Sequence, residues 1–99
     1  MRATIAMSKE IGRSIATNKL SELRKLSHDA LKKRIGEIEC EVVNGADGEY
    51  QMETQAFWDG KPSGNIRVMV GIDGPGISSL NFLMEDFIIT PDGSFVGEG

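Results

Sequence analysis

The spacing of apolar positions changes period along the chain, dividing it into a helical part and a sheet part. Ile66, Val68, Val70 and Ile72 alternate with Asn65, Arg67, Met69 and Gly71, which sends one β-branched row to a single face of a strand. Asp73-Gly74-Pro75-Gly76 has the chemistry of a reversal, and a second apolar run follows from Leu80 to Thr90. In that run Leu80, Phe82 and Met84 share one parity while Phe87 and Ile89 take the other. A strand changes phase only by an extra residue, so a β-bulge is predicted at Glu85-Asp86.

Upstream, Ile38, Cys40 and Val42 alternate with Glu37, Glu39 and Glu41. This predicts a strand with its apolar row buried and its glutamates in water, and Cys40 as a small buried side chain. Turn residues Asn44 to Gly48 separate it from a further row, Tyr50, Met52, Thr54, Ala56 and Trp58. Asp59 to Gly64 reads as a loop, and Thr90-Pro91-Asp92-Gly93-Ser94 as a tight reversal into a short last strand, Phe95-Val96.

Before the strands the period is helical. Leu20, Leu23, Ala30, Leu31 and Ile35 fall on one stripe, with Ser27 and Arg34 inside it and Glu22, Lys25, Asp29, Lys32 and Lys33 opposite. Thr17 or Asn18 can cap this helix and Gly36 can end it. Residues 1–17 carry two competing signals: Thr4, Ile5 and Met7 suit the start of a strand, whereas Ile11 and Ile15 suit a helix from Ser8. Ile11 and Ile15 lie off the later stripe, which predicts a break near Ala16 to Asn18.

The expectation is one domain of the α+β class: residues 1–17 without a defined element, a helix over 18–36 and an antiparallel sheet over 37–99. The amphipathic helix should pack on a curved meander of four to five strands, an arrangement that resembles the cystatin-like architecture in outline. The closing stretch Phe87-Ile88-Ile89-Thr90-Pro91-Asp92-Gly93-Ser94-Phe95 is similar to the last hairpin of NTF2-like proteins. The several helices that normally precede such a sheet do not fit in this chain, so membership is not implied.

Composition narrows the function classes. Ninety-nine residues suffice for one core but not for a large internal cavity as well. A single cysteine excludes an intramolecular disulfide and no long apolar segment is present, so the expected location is the cytoplasm, with no membrane partner. The net charge of −4 hides an asymmetry. Residues 1–36 hold nine basic and three acidic side chains, +6, whereas residues 37–99 hold two basic and twelve acidic ones, −10. A basic helix attracted to its own acidic sheet explains this split, so no specific nucleic-acid partner is expected.

Candidate chemistry is sparse. His28 is the sole histidine and adjoins the helix's apolar stripe, which gives poor support to a nucleophile–histidine arrangement and none to a histidine-rich metal site. The Asp-Gly pairs at 47, 59, 73 and 92 lack the ligand spacing of a calcium loop, and Gly71 to Gly76 lacks that of a phosphate-binding loop. No metal or cofactor is expected. The preferred reading is a small non-enzymatic interaction protein that works through a sheet face or edge, as a homodimer or with another protein, with Met69, Leu83 and Phe87 as interface residues. The alternative is a ligand-binding or catalytic cone in which the bulge turns Asp86 into a space beneath the helix lined by Tyr50 and Trp58, where burial raises its pKa.

Overall fold

A long helix, a short helix and then four consecutive strands make up the chain in the computed structural model, which describes residues 2–74 and 83–98, with side chains from residue 10 onward. The long helix α1 spans Arg2–Leu23. It passes without interruption through the segment where strand and helix signals competed, and through Ala16 to Asn18. Gly12 and Ala16 explain this: both are buried, and with Leu20 and Leu23 they form one unbroken stripe at steps of four, four and three residues. Small side chains count as apolar positions where a helix lies close on a sheet. Ser8 accordingly lies inside α1 and not at its start.

The break comes later, at Arg24 to Ser27. Arg24, Lys25 and Leu26 close the end of α1 with amide bonds to Leu20, Glu22 and Leu23. Ser27 then adopts an extended backbone, and its hydroxyl accepts the Ala30 amide at 3.1 Å, capping a short second helix α2, His28–Lys32. Ser27 thus interrupts the stripe instead of riding in it, and the expected 18–36 helix is two pieces. Leu31 carries the burial of α2, which ends at Lys32 with Lys33 as its cap, so Gly36, at φ 91°, turns the chain after the helix instead of ending it.

Strands β1 (Ile38–Gly45), β2 (Gly48–Trp58), β3 (Ile66–Asp73) and β4 (Leu83–Ile89) form one open antiparallel sheet in the order β1-β2-β3-β4. The α+β class therefore holds. Phe95 adds only an isolated bridge to Ile89 in place of a fifth strand. The register of β3 against β4 is regular from Ile72↔Leu83 to Ile66↔Ile89, so no bulge occurs at Glu85-Asp86. Leu83 already shares the inward parity of Phe87 and Ile89, with Met84 facing out; Leu80 and Phe82, which suggested the phase change, lie outside the described residues, as does the Pro75-Gly76 part of the reversal.

The core lies between the helices and one sheet face: Ala16, Leu20, Leu23 and Leu31 from above, and Tyr50, Met52, Ala56, Ile66, Val68, Val70, Ile72, Phe87 and Ile89 from below. Alternation in β2 and β3 is as the sequence predicted. Its logic inverts in β1, where Ile38 and Val42 are 60% and 59% exposed and Cys40 is exposed too. Glu39 and Glu41 take the helix side, meeting Arg34 and Lys19 at 3.1 Å each. The basic segment does pair with the acidic sheet half, and Arg24 adds a bidentate pair to Glu98 at 2.8 and 2.9 Å.

Candidate functional site

The face of the sheet turned away from the helices is where the exposed apolar side chains gather. Pairing places Ile38, Gln55, Met69 and Asp86 in one row across it, and Cys40, Glu53, Gly71 and Met84 in the next. Val42, Gln51 and Asp73 make a third row, and Phe57, Arg67 and Ile88 lie at the other end. Ile38, Val42, Phe57 and Met84 are all exposed, so the apolar side chains here sit among polar ones instead of forming one oily sheet. A shallow hollow of about 290 Å³ opens beside Cys40, Val42, Gln51, Glu53, Gly71 and Asp73.

Arg67 organises the β3–β4 end of this face. Its Nε and an Nη each lie 3.1 Å from Asp59 Oδ1, and Nη1 donates to Asp86. The hydrogen bond it donates to Asp86, followed by that to Asp59, raises the guanidinium pKa above its ordinary value. Asp86 is therefore an ion-paired carboxylate on the open face and does not project beneath the helix, because the regular register gives it the parity of Met69.

Tyr50 and Trp58 occupy the opposite face, so the three residues of the expected cone do not converge. Tyr50 is fully buried and donates its hydroxyl to the Asp47 carboxylate at 2.9 Å. Its ring is wedged between two backbones: a Cβ at Gly45 would lie 2.7 Å from it and one at Gly74 only 2.3 Å. Trp58 packs tilted on His28 at 6.1 Å, and His28 Nε2 donates to the Gly64 carbonyl at 2.8 Å, tying α2 to the β2–β3 loop. Between α2 and the sheet, a gap of about 10 Å³ near Thr54, Leu31 and Ala56 has room for about one water at most.

The expected interface residues also separate. Met69 belongs to the open face, whereas Leu83 and Phe87 point to the helices and Phe87 is 3% exposed. The residues that do present apolar surface on the β1 side, Ile38 and Val42, were assigned to the core by their alternation alone. The signal that could have found them is Lys19 and Arg34, cations placed to draw the intervening glutamates inward. Among the described residues no group of three or more His, Cys, Asp or Glu side chains is placed to hold a metal ion, and no helix is long and apolar enough to cross a membrane. No family model, curated protein or solved structure matches this chain.

Proposed function

We propose that this chain is a small non-enzymatic interaction protein of the cytoplasm, cystatin-like in outline, that works as a homodimer through the uncovered side of its sheet. One observation carries the reading: Ile38 and Val42 stand 60% and 59% exposed on β1, a strand that among the described residues has a neighbour on one side only. Eight regularly paired residues with no proline or bulge offer unpaired amides beside that apolar surface, a combination that favours association. The exposed thiol of Cys40 suits a reducing compartment. Lys19, Arg24 and Arg34 face glutamates of the same chain, which argues for charge spent within the fold and against a specific nucleic-acid role.

Sedimentation at micromolar concentration tests it. The expected mass is about twice the 10.8 kDa of the chain. A monomer at every accessible concentration overturns the reading. A ligand screen would then begin at the open groove of about 300 Å³ between α1 and β1, lined by Ile15, Lys19, Glu41, Val43 and Met52.

A further inference from the structure

The uncovered edge also has a register. Ala46 and Asp47 form a two-residue loop between Gly45 and Gly48, and in such a hairpin the pair next to the loop exchanges both backbone hydrogen bonds. Counting back along the alternation, Val43, Glu41 and Glu39 turn their amides toward β2, and Asn44, Val42, Cys40 and Ile38 turn theirs outward. A second copy added antiparallel about a two-fold axis keeps both sheet faces and sets one residue opposite its own copy; a centre at Glu39 or Glu41 would set a carboxylate against itself and one at Val43 would leave Ile38 and Cys40 beyond the ladder, so the centre falls among the outward-bonding residues.

Cys40 and Val42 are the two centres that leave a useful overlap. A centre at Val42 sets Cys40 against Asn44 of the other copy and leaves Ile38 beyond the ladder. A centre at Cys40 sets Ile38 against Val42 of the other copy, twice, covering the two most exposed aliphatic side chains of the described chain. It also brings Glu39 opposite Glu41 of the other copy, a like-charge approach that opposes pairing. Each of those carboxylates already holds its own cation, Arg34 or Lys19, so the row that forms is neutral in sum.

We infer that the homodimer, which rests on the reading proposed above, forms by antiparallel pairing of β1 with β1 of a second copy, with Cys40 at the two-fold axis. The two sheets then join into one continuous sheet with all helices on one side. An edge pair of this length is smaller than a standard interface, which puts the association among the weak, transient ones.

The register is tested by charge exchange. Ile38→Glu and Val42→Lys each place an unmatched charge against an aliphatic partner and should weaken association about tenfold or more. The double variant sets the new carboxylate of one copy against the new ammonium of the other and should restore it. Both positions are exposed, and circular dichroism checks that each variant folds. Under a centre at Val42 the new ammonium would face itself, and the double variant would stay weak. Disulfide formation gives a second reading: two Cys40 thiols lose two protons and two electrons to added diamide, which is reduced to its hydrazine. Residues in such a pair have Cα atoms about 5.5 Å apart, inside the roughly 4.4–6.8 Å that a disulfide spans. Cross-linking faster than in urea-unfolded chain, together with rescue in the double variant, supports the register. A sedimenting dimer with neither overturns it while leaving the dimer standing; a monomer removes both.

Discussion

The two margins of the sheet solve the same problem in opposite ways. On the β4 side the chain closes its own edge: after the reversal at Thr90 to Ser94, Phe95 bridges Ile89 and the Val96 amide donates to the Ile88 carbonyl at 2.9 Å. Arg24 fastens that tail, its guanidinium lying 5.1 Å over the Phe87 ring and 5.4 Å over the Phe95 ring while its fork grips Glu98. On the β1 side nothing comparable is present among the described residues, and Ile38 and Val42 face water. An edge that is fastened from within is a structural device. An edge left bare with aliphatic side chains beside it is a surface available to a partner.

The sharpest way to break this contrast is to truncate one residue from each margin. Phe87→Ala removes a ring that is 3% exposed, edge-on to Phe95 at 5.5 Å and beneath Arg24, and should lower stability by about 3–5 kcal/mol. Val42→Thr keeps the β-branch on an exposed position and should change the stability of dilute protein by about 0.5 kcal/mol or less. Urea titrations of the two variants check both. A cost below about 1 kcal/mol at Phe87 would remove the β4 margin from the core, and a large cost at Val42 would mean that β1 is not a free surface.

How far the sequence revealed these margins follows from what each row of side chains had to satisfy. In β2 and β3 one row is apolar with little competition, so Tyr50 to Trp58 and Ile66 to Ile72 read correctly. In β1 both rows had a claim. Hydrophobicity alone sends Ile38, Cys40 and Val42 inward, but Lys19 on α1 and Arg34 just after α2 hold Glu41 and Glu39 on the helix side, and Lys19 lies 22 residues before its partner. The helix break was misplaced for a local reason: Ser27 fits a stripe as well as a cap, and only its extended backbone decides between them. Asp86 was sent to the wrong face by a phase change read partly from Leu80 and Phe82, outside the described residues, whereas the regular pairing from Leu83 gives it the partner Arg67.

A smaller effect is expected from releasing the tail without disturbing the core. Arg24→Met keeps an apolar stem against Phe87 and Phe95 but loses the fork to Glu98 and the charge over the rings. A partly exposed bidentate pair and stacking on two rings together suggest a loss of about 1–2 kcal/mol. Arg24→Lys should recover only part of it, because an ammonium lacks the planar fork. Hydrogen exchange localises the change: the Val96 amide should exchange faster in Arg24→Met while amides of β1 and β2 keep their rates. Uniform acceleration through the sheet would show that Arg24 acts on the whole fold and not on the β4 margin.

The smallest effect concerns the turn that swings the tail back. Asp92 is exposed, yet its pKa lies below the ordinary carboxylate value because the Thr90 hydroxyl donates to it, reinforced by Ser94, whose amide donates at 3.0 Å. These donors bond better to the charged form. A carboxyl with a depressed folded pKa contributes stability that is present above its unfolded value, near 3.8, and is lost as pH falls through the folded value. Acid should therefore loosen the turn, and the tail fastened after it, at a pH below the ordinary aspartate range, and alkaline pH should leave it unchanged. Carboxyl titration by NMR should find Asp92 below that range in the wild type and shifted up toward it in Thr90→Val, with the Phe95 ring signals following the same titration and those of Tyr50 indifferent to it. An Asp92 titration unmoved by Thr90→Val would show that the hydroxyl does not hold the turn, and closure of the β4 margin would then rest on the bridge at Ile89 and on Arg24 alone.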